Sequence, residues 1–151
     1  MFKKAHLLDV LFTQDGMEIT EPMTAKFLTK NHIQSSMTVQ IESNNGGRGF
    51  ARNVERIIKS EYRDNFRGIR IKWFHQSENK MARINSESHT VMKYIYFPHD
   101  WSTRWPTFHD KMTRYLKDGN NEFDDHADMI TGIAEHINTD MTMMDALRTR
   151  R

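Results

Sequence analysis

The 151-residue sequence contains no cysteine, which excludes disulfides, thiolate zinc sites and cysteine nucleophiles together. Any metal must therefore rest on carboxylate, histidine or carbonyl ligands. An apolar run near the roughly 20 residues that a membrane span requires is also missing. The opening MFKKAHLLDVLF has the basic-then-apolar order of a secretory signal. Asp9 interrupts its short apolar run, however, and no small-residue cleavage site follows. It reads as a strand, and the protein as intracellular. One-sided charge is lacking too: the net value is only +2, although the sequence pI is about 8.9. That excess does not by itself identify a nucleic-acid binder. What is present, 37% hydrophobic and 28% charged residues, suits one globular domain with one core. The eleven methionines read as core filler.

Periodicity orders the chain into alternating strands and helices. His6 to Thr13 alternates loosely and is predicted as a strand turned by Asp15-Gly16, with Met17 to Thr20 returning as a hairpin arm. Glu21-Pro22 is predicted to open a helix, because proline suits a first helical turn. Met37 to Ser43 forms a short strand ended by Asn44-Asn45-Gly46-Gly47. Phe50, Val54, Ile57 and Ile58 then recur at helical spacing, and Gly68 to His75 alternates with Ile69, Ile71 and Trp73 on one face. A helix follows from Asn79 to about Met92, then a strand from Lys93 to Phe97 that Pro98 stops. Trp105, Phe108, Met112 and Tyr115/Leu116 form a helical stripe, and Asp118-Gly119-Asn120-Asn121 a loop. The last helix starts near Asp124 and buries Ala127, Ile130, Ile133/Ala134 and Ile137, leaving 138–151 as a short helix or a frayed tail. The expectation is an α/β domain with a partly parallel, helix-covered sheet. In such sheets ligands gather beyond the carboxyl ends of strands.

Two groups of residues carry chemistry. Glu42 ends the strand Thr38-Val39-Gln40-Ile41-Glu42, opposite in facing to Val39 and Ile41 and just before the glycine turn. It reads either as an ordinary loop-facing carboxylate or as a ligand. At about 100° per residue, Asp124 and Asp128 are neighbours on the last helix, with Asp125 flanking them. Acids at a helix N-terminus complement its dipole, and Asp124 suits a cap. Three aspartates exceed what one cap needs, and a divalent cation would relieve their repulsion. Mg²⁺ and Mn²⁺ prefer such oxygen ligands, and two ions about 4 Å apart can drive phosphodiester cleavage.

The segment NNGGRG, Asn44 to Gly49, lacks the Gly-Lys-Ser/Thr ending of a phosphate loop, so ATP hydrolysis is unsupported. It serves either as a tight strand-to-helix turn or as a phosphate-facing backbone. Arg48, Arg52, Lys80 and Arg83 stand near element starts, where they would position DNA phosphates without reading sequence, or be ordinary surface charges. His126, inside the acidic cluster, is predicted to face solvent rather than bind metal, and Trp101 and Trp105 to close the core, with stacking on DNA as the alternative.

In these residues the chain resembles a known family. Gln40 to Lys59 (QIESNNGGRGFARNVERIIK) is similar to the glycine-turn region of the C-terminal nuclease domain of phage large terminase subunits. FHQSENKMARI (Phe74 to Ile84) and YFPHDWSTRWPTFHDKM (Tyr96 to Met112) resemble the segments that follow, in the same order. FDDHADMITGIAEHI (Phe123 to Ile137) resembles the family's final acidic helix, commonly written His-Asp-Asp-x-x-Asp-Ala, with Phe123 replacing the leading histidine. The likeness covers about Gln40 to Ile137 and is weaker around Asp9.

The resemblance implies a ribonuclease-H-like mixed sheet flanked by helices over residues 1–137, followed by a tail over 138–151. It implies a metal-dependent endonuclease that cuts concatemeric double-stranded DNA during genome packaging, in the cytoplasm of the infected or lysogenic bacterial host. Implied with it are Mg²⁺ or Mn²⁺ in a two-metal site, Glu42 as second acidic ligand, and Asp124, Asp125 and Asp128 supplying the last. Asp125 is favoured as the main catalytic acid and Asp128 next. The implied partners are DNA, the terminase ATPase region or chain, the small terminase subunit and the portal protein, with no membrane. In this family a first catalytic aspartate lies on a strand upstream of the segment resembling His6 to Thr13. The sequence starts at Met1 without that strand, so the expected metal site is incomplete, and Asp9 is a poor substitute. The alternative is a catalytically inactive terminase fragment that binds DNA or a partner.

Overall fold

The protein is described by a computed structural model covering residues 4–30, 37–63, 68–116, 121 and 124–148, with the backbone alone at 45 and 140–148. It is a mixed α/β structure with two small parallel sheets, and the chain divides into two compact units. Thr13–Ser77 forms one; Met1–Phe12 together with Glu78–Arg151 forms the other. The loop at 118–120 and Phe123 lie outside the described residues.

The unit Thr13–Ser77 is a strand–helix–strand crossover with a helix added. It holds α1 (Met17–Lys30), β2 (Met37–Glu42), a 3₁₀ turn (Asn44–Gly46), α2 (Gly47–Glu61) and β3 (Ile69–Phe74); β1 precedes it in the chain, at Ala5–His6. β2 and β3 pair in parallel from Met37 against Ile69 to Glu42 against Phe74. Ala25, Val54, Ile57, Ile58 and Ile69 make its core, with Val39 and Ile71 packed on it. The strict alternation of β2 decides the facing: Val39 and Ile41 are half-buried, while Thr38, Gln40 and Glu42 are exposed.

Helix α1 corrects an expectation. Met17 to Thr20 is helical, not a hairpin arm, and Pro22 lies inside the helix. Gly16 does not close a β-turn. Its carbonyl accepts from the amides of Ile19 and Thr20, which starts the helix four residues before Glu21.

The other unit holds β1, α3 (Lys80–Tyr94), β4 (Ile95–Tyr96), α4 (Trp101–Arg104), α5 (Pro106–Thr113) and α6 (Asp125–Arg148). β1 pairs in parallel with β4 over two residues each. The strand expected over His6 to Thr13 stops this early because its backbone groups are taken elsewhere. Arg104 donates to the Leu8 carbonyl, and the Asp9 carboxylate accepts from the Val10 amide and from Trp105 Nε1. Ile95, Phe108, Ile130, Ala134 and Ile137 form the core, and Trp101 and Trp105 pack against it as predicted. The predicted tail is no separate segment through Arg148, since α6 runs unbroken from Asp125. Among the described residues no helix is long and apolar enough to cross a membrane.

Candidate functional site

The start of α6 meets the start of α3, and the meeting is ionic. Asp124 precedes α6, its carbonyl taking the Asp128 amide at 3.0 Å, and Asp125 and Asp128 fall in the first turn. Asn79 caps α3, its Oδ1 accepting from the Ala82 amide at 3.0 Å, and so fixes where Lys80 and Arg83 emerge. Three residues apart, these two share one face of the helix. Lys80 Nζ lies 2.7 Å from Asp124 Oδ1, 2.6 Å from Asp125 Oδ1 and 3.9 Å from Asp128 Oδ2. Arg83 Nη1 donates to Asp128 Oδ1 at 2.8 Å. Its Nε and Nη2 fork onto the two oxygens of Glu135 at 2.7 and 2.8 Å.

Burial grades this network. The Arg83 side chain is 5% exposed, Asp128 11% and Asp125 86%. Partial burial by itself would lower the Lys80 pKa. Hydrogen bonds and charge from Asp124 and Asp125 outweigh it and hold the ammonium well above the ordinary lysine value. Burial also raises the Tyr115 phenol, with the charge of Asp124 adding to it.

His126 is buried, 3% exposed, rather than facing solvent. Its Nε2 lies 3.1 Å from the Lys111 carbonyl. A carbonyl only accepts, so Nε2 carries the proton and Nδ1, also buried, finds no partner among the described residues. Phe12 and Tyr115 stand edge-on to the ring. Burial depresses its pKa, against opposing contributions from the Lys111 carbonyl and from Asp124 and Asp125.

In the unit Thr13–Ser77, Glu42 stands at the carboxyl end of β2, as its alternation predicts. Asn44 Nδ2 donates to Glu42 Oε1 at 2.6 Å and to the Gln76 carbonyl at 2.7 Å. The Ser43 amide donates to Phe74 O at 2.7 Å, so the ends of both strands are tied. Gly46 adopts φ +94°, and a Cβ on Gly47 would fall 1.8 Å from the Glu42 carbonyl oxygen. Both glycines are thus required by the turn itself. Arg48 and Arg52 are exposed, and the Arg48 guanidinium lies 5.9 Å from the Trp73 ring centre.

The structure therefore brings Asp124, Asp125 and Asp128 together with Lys80 and Arg83, while Glu42, Arg48 and Arg52 belong to the other unit. Arg83, expected to face phosphates, is buried in carboxylate pairs. Sequence reasoning missed Glu135 and set His126 facing solvent, whereas it is buried. Glu135 lies seven residues after Asp128, two turns along the same face. His126 leads the series Ile130, Ile133, Ala134 and Ile137 at offsets 4, 7, 8 and 11, which is the buried stripe itself.

The donor set suits a hard divalent cation chemically. Its arrangement does not: all three aspartates already pair with cationic side chains, and among the described residues no three acidic or histidine groups converge as a metal site. The chain matches no protein family, no curated protein and no solved structure.

Proposed function

We propose that the chain is a nuclease module of the phage large-terminase kind, with a ribonuclease-H-like ancestry, which hydrolyses phosphodiester bonds of double-stranded DNA during genome packaging. One observation carries this reading. The segments NKMARI and FDDHADMI, each singled out by its resemblance to that family, are 44 residues apart from Lys80 to Asp124, yet Lys80 and Arg83 lie directly on Asp124, Asp125 and Asp128. Two stretches chosen for chemistry thus belong to one cluster. On this reading Asp125 and Asp128 are the working acids of α6 and Glu42 the acid of β2. Exposed Arg48 and Arg52 meet phosphates. Mg²⁺ or Mn²⁺ is the cofactor, and the host cytoplasm, with the packaging ATPase, small subunit and portal as partners, is the setting.

A second reading, a catalytically inactive module that binds DNA or a packaging partner, is favoured by the neutralisation of the aspartates. Lys80 and Arg83 give each a counter-charge without any metal. Plasmid cleavage separates the two. The nuclease reading expects nicking that requires Mn²⁺ or Mg²⁺ and that Asp125→Ala and Glu42→Ala each abolish. Cleavage surviving both substitutions would sink it, and DNA binding with no cleavage at any metal concentration would establish the second reading.

A further inference from the structure

The solvent side of α2 carries a row of like charge. At about 100° per residue, Arg48, Arg52 and Arg56 fall within about 80° of arc, away from the buried Ala51, Val54, Ile57 and Ile58. All three are exposed, and none pairs with an acid among the described residues. The acids nearby are engaged elsewhere: Glu55 holds Lys59 at 2.6 Å, Glu21 accepts from Asn53, and Glu42 accepts from Asn44. Like charges one turn apart weaken a helix, and no described acid offsets them here. Lys80 and Arg83 differ, since their charges are spent on the aspartates and Glu135. An aromatic ring stands at the N-terminal end of the row. Trp73 has the facing of Ile71 on β3 and is 46% exposed, with the Arg48 guanidinium 5.9 Å from its ring centre. An indole held by one cation and otherwise open to water offers a surface on which a flat ring can stack.

We propose that Arg48, Arg52, Arg56 and Trp73 form a track for single-stranded nucleic acid, the guanidiniums meeting phosphates and the indole lying against a base. Four residues of helix advance about 6 Å, which is of the order of the phosphate interval along an extended strand. The row repeats a charge instead of concentrating it, so it complements a polyanion, and counterions released from the phosphates supply the affinity. The positive end of the α2 dipole, beside Arg48, acts in the same sense. Trp73 decides between single strand and duplex. A paired base has both faces covered by its neighbours, whereas an unpaired one has a face to stack. Such binding goes beyond the nuclease reading and does not depend on it, because neutralisation and stacking require neither a metal nor the acids of α6.

Fluorescence anisotropy of labelled oligothymidylate, titrated with the whole chain in EDTA across a salt series, reads this binding. Three phosphate contacts give a slope of log affinity against log salt of about −2, at about −0.7 for each contact on a single strand. Replacing Arg52 and Arg56 together by Gln is expected to reduce the slope to about −0.7. Trp73→Ala should weaken binding about fivefold or more and leave the slope unchanged. A duplex of the same length should bind more weakly at every salt concentration. An Arg52→Gln/Arg56→Gln chain with the affinity and slope of the unsubstituted one overturns the proposal, as does failure of the unsubstituted chain to bind at low salt. Tighter binding of the duplex also overturns it and assigns the row to a double-stranded backbone. Adsorption to phosphatidylserine vesicles with none to oligothymidylate overturns it in favour of a lipid contact. The arginines are exposed, so their replacement leaves the core intact and decides the matter even if Trp73→Ala does not fold. Because EDTA removes any metal, failure here leaves the plasmid-cleavage test of the nuclease reading untouched.

Discussion

At the scale of single residues, the charges of α3 and α6 divide into what holds the structure and what is open to chemistry. Arg83 belongs to the first group, because removing it takes from both Asp128 and Glu135 the guanidinium that each is bonded to. Breaking a buried pair in this way costs about 3–5 kcal/mol. Arg83→Met is accordingly expected to lower stability by about 3 kcal/mol in urea denaturation, with Glu135→Gln costing less, since Glu135 is 32% exposed. His126 sets a pH dependence. Its folded pKa lies below the ordinary 6.5, so the unfolded chain takes up the proton first. The stabilisation is fully present above pH 6.5 and is lost as pH falls from there toward the folded value. His126→Gln should flatten the stability–pH profile just below 6.5, seen in denaturant midpoints; an unchanged slope would contradict the buried neutral ring. Both residues were legible in part. The stripe that leads into Ile130 and Ile137 already included His126, and only its polarity argued for solvent. Arg83 was read as a surface base because the sequence shows its charge and not the helix packed over it.

At the scale of elements, strong periodicity was read well and short structure poorly. β2, α2 and β3 follow from alternation or from an apolar stripe, and Asn79 marks the start of α3 by its side chain. β1 and β4, two residues each, are too short to carry a period, and side-chain bonds to Leu8 and Val10 end the first ladder. The start of α1 was hidden because Asp15-Gly16 reads equally as a hairpin turn, and Pro22 draws the expected boundary toward itself. The turn from β2 into α2 offers a paired prediction. Gly47→Ala places a Cβ against the Glu42 carbonyl, a backbone atom that yields only if the strand end moves. It is expected to cost about 2 kcal/mol or more and to displace the Glu42 carboxylate. Gly49→Ala, two residues on in the same helix, meets nothing within 4 Å and should stabilise by about 0.5–1 kcal/mol. Thermal melts of the two variants read both signs; equal losses would contradict the close approach at Gly47 alone.

At the scale of the whole molecule, the pattern led to one partly parallel sheet, whereas the described residues form two parallel strand pairs and the chain divides into two compact units. Periodicity tells which face of a strand is buried but not which strand lies beside it. Pairing depends on long-range closure, which a local pattern does not encode. The candidate site shows the same division. The acids were found from spacing, and their partner bases were found as charges, but their union across 44 residues was not. The nuclease reading proposed above takes this union as a metal-dependent hydrolytic centre. It is tested most directly by replacing Mg²⁺ with Fe²⁺ and mapping where locally generated hydroxyl radicals cut the polypeptide. Backbone cuts are expected at the starts of α3 and α6, near Lys80 and Asp125, suppressed by excess Mg²⁺ and lost in Asp125→Asn. No cutting there, or a pattern indifferent to Asp125→Asn, would contradict it.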